Sequence, residues 1–402
     1  MKKEKFTAPA ALVTALLTIL LFRSLYNLGM NQTVHLDHVT VGYVCEGDEA
    51  TPYSENFLQS VDTLKTEYGD SITIIVKDNV PAEDAKQAVD ELIKAKCNII
   101  FSNSTDYGET VKSTAQANPD IQFCQAACSN SKDEPAVSNY HTFMGEIYEG
   151  WYISGQVAGL KLNEMVSEGV LTGDKLVGFV GAFPCEEVIS AYTAFLLGVR
   201  SECPDALMHV RYTGAWSDYN KEYEAAQALI GEGCSIIAQN SDTIAPAIAC
   251  EEAYGRRPVY HISYNKDMLN IAPAAALTGT RIDWSAYITE AVEAVFEGKR
   301  IEDVVKGNVH GNDVGGGFRH AWIKILELNQ TTAPEGSEEA IFGTIEDFKH
   351  GKCHVFLGDY VGINPDDPSD TWDLNKEYIE NKESSYPTFH YVLKDVVIVD
   401  GE

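Results

Sequence analysis

The chain states one pattern twice, and that repetition limits its fold more than any other feature does. Residues 88–106 read AVDELIKAKCNIIFSNSTD, and residues 225–243 read AAQALIGEGCSIIAQNSDT. In each copy a helical face runs through a turn into Cys-x-Ile-Ile and then an Asn-Ser pair. Cys97 and Asn103 are spaced as Cys234 and Asn240 are. Upstream, Val41-Gly42-Tyr43-Val44 matches Val177-Gly178-Phe179-Val180, and Gly69-Asp70 answers Pro204-Asp205. Two copies of a strand–helix–strand–helix–strand unit imply two similar α/β lobes. Ligands of such sheets collect beyond the carboxyl ends of the strands, so the site belongs in a cleft between the lobes.

The order of elements supports this reading. Strands are expected over 39–45, 72–76, 97–101 and 121–124 in the first lobe, separated by helices that open at Pro81 and close before Pro119. A Gly- and Ala-rich helical stretch over 145–162, with small residues at 150, 155, 158 and 159, is expected to pack closely and join the lobes. The second lobe repeats the alternation, with helices over 188–202, 219–231 and 246–254 and strands over 176–180, 208–213, 235–239 and 259–262. From Leu277 the chain recrosses and forms a helix over 284–297. Gly315-Gly316-Gly317 has no following Lys-Ser/Thr and is read as a turn, not a phosphate loop. The expected organisation is an N-terminal segment (1–30), a first lobe (38–155), a second lobe (156–275), and a recrossing and C-terminal part serving both (276–402).

Composition narrows the class. The 402 residues are 45% hydrophobic with a net charge of −30, which suits a globular protein and argues against a nucleic-acid or anionic-membrane surface. Lys2, Lys3 and Lys5 precede the apolar run from Ala10 to Phe22, the pattern of an export signal or N-terminal membrane anchor. The body is therefore expected outside the cytoplasm. Its nine cysteines make an odd number spread along the chain and form no small-scaffold disulfide framework. Cys97 and Cys234 read as core residues, and so many free thiols outside the cell point to a reducing habitat. Cys124-x3-Cys128 and the His350/His354 pair lack the further ligands a zinc site needs. With no H-E-x-x-H, G-x-S-x-G or P-loop, neither catalysis nor a cofactor is expected.

Aromatic, amide and carboxylate residues recur just after the predicted strands. In the first lobe these are Tyr53, Asn103, Ser104 and Tyr107. In the second they are Phe183, Trp216, Asn240, Asp242, Asn265 and Asp267, and Trp284 follows the recrossing strand. Aromatic faces stack on a flat ring, while amides and carboxylates read a base edge or ribose hydroxyls. The expected arrangement places a purine between Tyr53 or Tyr107 on one side and Trp216 or Phe183 on the other. Asn240 and Asp242 are expected at its edge, with Asn265 and Asp267 along the floor.

Through these blocks the sequence resembles the basic membrane lipoprotein family of ABC-transporter substrate-binding proteins. The matching segments are VGFVGAFPCEEVISAYTAFLLG (177–198), AWSDYNKEYEAAQALI (215–230), AQNSDTIAPA (238–247), SYNKDM (263–268) and IDWSAY (282–287). DNVPAEDA (78–85), NPDIQF (118–123), FMGEIYEGWYISGQVAG (143–159) and the tail YIENKESSYPTFHYVL (378–393) extend the likeness over 40–402. The resemblance implies a type I periplasmic-binding-protein fold, with two doubly wound parallel-sheet lobes, a hinge of three crossovers and an interlobe cleft. It implies capture of a purine nucleobase or nucleoside and delivery to an ABC permease. Nucleoside-binding members typically carry Asp where this chain has Asn265, which tilts the expectation towards a free nucleobase. Thr51-Pro52-Tyr53 stands where Trp is common, and the lipobox Cys is missing.

Other functions on a related framework need features that the residues do not supply. A repressor's effector domain needs an N-terminal DNA-binding helix pair, and a nucleoside hydrolase needs an acidic calcium cluster near the cleft. A ligand-sensing ectodomain, or a sugar-binding member of the family, remains as an alternative.

Overall fold

The computed structural model describes residues 35–399; the expected export signal or anchor lies outside them. The first sheet is built from β1 (Val39–Val44), β2 (Ile72–Lys77), β3 (Ile99–Ser102), β4 (Gln122–Ala126) and β5 (Tyr140–Gly145). Helices α1 (Pro52–Tyr68), α2 (Ala85–Lys94) and α3 (Gly108–Ala117) lie between them. After α4 (Tyr148–Ser167) the pattern repeats: β6 (Leu176–Gly181), α5 (Glu186–Glu202), β7 (Leu207–Tyr212), α6 (Tyr219–Gly231), β8 (Ile236–Asn240), α7 (Ala245–Tyr254), β9 (Tyr260–Tyr264) and β10 (Ala276–Ile282). Within each sheet these strands run parallel, with β1 between β2 and β3 and β6 between β7 and β8. The near-continuous apolar strands follow from burial on both faces.

The repeated Gly and Cys have a packing reason. A Cβ on Gly42 would stand 2.8 Å from Leu92 and 3.2 Å from Cys97 Sγ; one on Gly178 would stand 2.8 Å from Ile237 and 3.2 Å from Cys234 Sγ. In each lobe a missing side chain at mid-strand lets the following helix–strand turn close down. The small residues of α4 act likewise on a larger scale. Gly155 faces the Phe195 carbonyl of α5, and Gly198 of α5 faces the Tyr152 carbonyl. Because α4 lies along α5, the expected 155/156 boundary falls inside a helix that packs with the second sheet.

The chain crosses between lobes at three places. Residues 145–148 lead from β5 into α4. Residues 282–285 lead from β10 into α8 (Ser285–Glu297), which packs on α1 with Tyr68 stacked on Phe296 at 4.9 Å. The third crossing leaves the first sheet after β11 (Asn308–His310) and β12 (Asp313–Gly316) and enters the second as β13 (Ile323–Ile325). Here the structure corrects the reading of 315–317 as a simple turn, because β12 is a strand paired with β5. Its glycines serve close approach: a Cβ on Gly316 would sit 2.6 Å from the Trp322 ring. At the same crossing, Glu146 Oε1 accepts from Asn308 Nδ2 at 2.5 Å and Glu149 Oε2 from the Phe318 N–H at 2.6 Å. Burial pushes Glu146 up to about 7 and Glu149 well above the ordinary carboxyl range.

The C-terminal part comprises α9 (Ser337–Lys349) against α4, a small sheet of β14 (Val361–Ile363), β15 (Thr371–Asp373) and β16 (Val392–Leu393), and β17 (Val397–Ile398) beside β7. No strand forms at Val355. Residues 380–389 strap the lobes together. Ser385 N donates to Asp313 of the first lobe at 2.8 Å, and Glu380 accepts from Ser190 of the second at 2.9 Å.

Candidate functional site

Between the lobes lies a cavity lined from both sides by residues at the carboxyl ends of strands. The first lobe contributes Glu46 after β1, Tyr53 in the first turn of α1, Asn103 to Asp106 after β3, Ala127 after β4 and Met144 in β5. The second contributes Glu187 in the first turn of α5, Trp216 after β7, Asp242 after β8 and Tyr264 at the end of β9, with Trp284 at the second crossing. The cavity volume is small, about 40 Å³. The walls therefore stand close together, as around a slit.

Hydrogen bonds fix the loops that carry these groups. The Asp242 N–H donates to the Trp216 carbonyl at 2.8 Å, so the carboxylate and the indole are set against each other by backbone alone. Glu222, fully buried on α6, accepts from Ser241 Oγ at 2.8 Å, Thr243 Oγ1 at 2.7 Å, and the backbone of Thr243 and Asp218 at 3.1 Å. Asp218 in turn caps α6 by accepting from the Lys221 N–H at 3.1 Å. Gln239 donates to the Ser241 and Thr243 carbonyls at 2.9 and 2.8 Å. In the first lobe Gln125 does the corresponding work, donating to the Ser104 carbonyl at 2.8 Å.

The predicted residues separate into two groups. Tyr53, Asn103, Ser104, Trp216, Asp242 and Trp284 line the cavity. Asn103 turns its amide to the protein, accepting from the Glu46 N–H at 3.0 Å and donating to Ser54 at 3.3 Å, and its carbonyl takes the Tyr53 hydroxyl at 2.6 Å. Tyr107 does not reach the cavity: its hydroxyl donates to the Val80 carbonyl and its ring joins the core outside β1 and β3. Phe183 stands behind Trp216, edge to face at 5.7 Å. Asn240 is fully buried with neither amide atom partnered, and Asp267 Oδ1 accepts from the Leu269 N–H at 2.7 Å in a local turn. Asn265 adjoins Asp242 and Tyr264, and its φ of 63° is a conformation that asparagine tolerates. Its Oδ1 accepts from Asn56 of α1 at 3.3 Å, a contact between lobes that the Lys266–Glu55 ion pair accompanies.

Glu46, Asp106 and Glu187 also line the cavity without having been singled out, beside Tyr264 of the Tyr264-Asn265-Lys266-Asp267 run at the end of β9. Glu46 follows β1 directly and obeys the same post-strand rule, whereas Glu187 looks in sequence like an ordinary acidic helix start. Burial, then the charges of Glu46, Glu222 and Glu187, push the Asp242 carboxyl well above the usual range. Burial raises Glu187 to about 7 against the opposing effect of the Tyr386 hydroxyl. Among the described residues no group of three or more His, Cys, Asp or Glu is placed to hold a metal ion. All nine cysteines are unpaired. No helix of the described residues is long and apolar enough to cross a membrane.

Two doubly wound lobes with a cleft at the strand ends define a type I periplasmic solute-binding fold. The structure superposes on an ABC transporter solute-binding protein of Conexibacter woesei with a TM-score of 0.60 at 17% identity, covering 78% of this chain and 97% of that one. A solute-binding protein of Aeropyrum pernix gives 0.60 at 13% identity, covering 82% and 95%. The chain belongs to the Bmp family, the PnrA-like ABC transporter substrate-binding proteins, which it matches over residues 40–331. It is 28% identical over 291 residues to a purine-binding protein of Brucella abortus, covering 72% of this chain and 75% of that one. It is 29% identical over 251 residues to a putative ABC transporter glucose-binding protein of Haloferax volcanii, covering 62% of this chain and 57% of the relative, little more than half its length.

Proposed function

We propose that this protein is the extracytoplasmic binding component of an ABC importer, capturing a purine nucleobase or nucleoside between its lobes and presenting it to the permease. The observation that carries this reading is the slit itself: aromatic residues of opposite lobes, Tyr53 and Trp216, line it together with the buried Asp242. Narrow walls with stacking faces suit a flat heterocycle, and a desolvated carboxyl group at the edge discriminates strongly between hydrogen-bonding patterns. Contacts made to both lobes at once would favour the closed form, which is the state a permease distinguishes. The likeness to a purine-binding protein agrees with this, and Asn265 in place of Asp favours the free base. The N-terminal segment serves as export signal or anchor.

A sugar is the second reading, favoured by the relative named as glucose-binding, because carboxylates and aromatic faces also receive hydroxylated rings. A thermal-shift panel of purines, nucleosides, sugars and amino acids separates the two. Ligand at a hundred times its dissociation constant adds about 2.7 kcal/mol, so purines should raise the melting temperature by several degrees. A panel in which only sugars do so overturns the purine reading.

A further inference from the structure

Two acids meet where the lobes are joined. Glu146 lies in the first crossing and Glu149 in the first turn of α4, each 7% exposed. Both Oε2 atoms lie within 2.6 Å of the point where a Cβ on Gly317, in the third crossing, would sit, so the two carboxyls face each other across that glycine. Their other bonds tie the crossings together. Glu146 accepts from the Asn308 amide of β11, Glu149 accepts from the Phe318 N–H, and the Glu146 N–H donates to the Gly316 carbonyl at 2.8 Å. The titratable groups that face the pair are the Glu380 carboxyl of the strap, the Tyr148 hydroxyl of α4 and the Cys353 thiol between α9 and β14. Among the described residues no cation acts on either acid.

Two carboxyls so placed resist carrying charge together. Burial, and for Glu149 the neighbouring Glu146, hold both above the ordinary carboxyl range, so the pair keeps at least one proton through neutral pH. A carboxyl O–H donates to a carboxylate in a short, strong hydrogen bond, whereas two buried carboxylates in contact repel with little screening. We infer that Glu146 and Glu149 form a proton-held clasp of the hinge: a proton shared between them fastens the first and third crossings together, and its loss in alkaline solution frees the lobes to part. The carboxyls meet in the arrangement that brings the walls of the slit together. Ionising both penalises that arrangement and shifts the population towards separated lobes. The closed form binds the proton more tightly, so rising pH favours opening, from about 7 upwards, where Glu146 begins to ionise.

Small-angle X-ray scattering of the full chain without ligand, from about pH 6 to about pH 9, tests this apart from what the cleft binds. In the parent the radius of gyration should rise with pH while the circular dichroism spectrum stays unchanged. Glu146→Gln and Glu149→Gln each put an amide N–H where the shared proton lies and remove one ionisable group. Each should lose most of the rise and stay at the compact value. Glu187→Gln alters a buried acid of the cleft and leaves the clasp intact, so it should keep the rise. Should one Gln variant fail to fold, the parent curve and the other variant decide. A parent radius that is constant over this range overturns the inference, as does a rise that accompanies unfolding or one that survives in both clasp variants. Loss of the rise in Glu187→Gln as well would assign the response to buried acids in general and overturn it too.

Discussion

Trp216→Ala separates the stacking face from the scaffold that positions it. The tie between Trp216 and Asp242 runs through the Trp216 backbone carbonyl, at 2.8 Å from the Asp242 nitrogen, so alanine leaves it intact. The indole is half-buried, and its aromatic contact is with Phe183 at 5.7 Å. Losing that pair should cost the unliganded fold about 1 kcal/mol. Losing a base–aromatic stack costs about 1–3 kcal/mol, or roughly 5- to 150-fold in dissociation constant. The assay is calorimetric titration with the purine that gives the largest thermal shift, beside the melting temperature of the unliganded variant. Phe183→Ala is the control: its ring backs the indole without lining the cavity, so its effect on affinity should be the smaller. Unchanged affinity in Trp216→Ala, or an equal loss in Phe183→Ala, would refute the assignment of the stacking face.

Three further outcomes follow from buried carboxylates. Glu222→Ala strands the donors of Ser241 and Thr243 and should lower unfolding free energy in urea by about 3–5 kcal/mol; a loss below about 1 kcal/mol would mean that the loop orders itself. Glu187, raised from its ordinary 4.5 to about 7 by burial, keeps a proton in the folded state that the unfolded chain has released, so stability falls as pH rises between those values. Asp242 acts in the same direction, and Glu187→Gln should flatten part of the fall in a series of urea melts. Gly317→Ala would set a methyl group against the Glu146 and Glu149 carboxylates at the third crossing. It should destabilise the protein by about 1–3 kcal/mol and weaken ligand binding; a variant matching the parent in both would show that the crossing adjusts freely.

The lobes, their alternation and the sheet edge that lines the cavity were legible because parallel strands buried on both faces leave long apolar runs between turn signals. The helix Tyr219–Gly231 follows its predicted bounds. β12 was not legible: its Asp-Val-Gly-Gly is strand because Trp322 and β5 need a backbone without side chains beside them, a tertiary demand with no local signature. The post-strand rule named Asp242 and Trp216, which line the cavity, and also Tyr107, which packs in the core beside it. Residues Thr105–Tyr107 form a tight helical turn, and that rotation carries Tyr107 to the flank while Asp106 faces the mouth. Glu187 escaped notice because a first-turn acid facing a cleft and one facing solvent are written alike.

The most direct test of the account is a crystal structure of the protein grown with its best-binding purine. The base should lie between Tyr53 and Trp216 with its edge within hydrogen-bond distance of Asp242, and with Glu187 or Trp284 taking a second contact. A purine bound outside the interlobe slit, or inside it with neither Trp216 against its face nor Asp242 at its edge, would contradict the central claim.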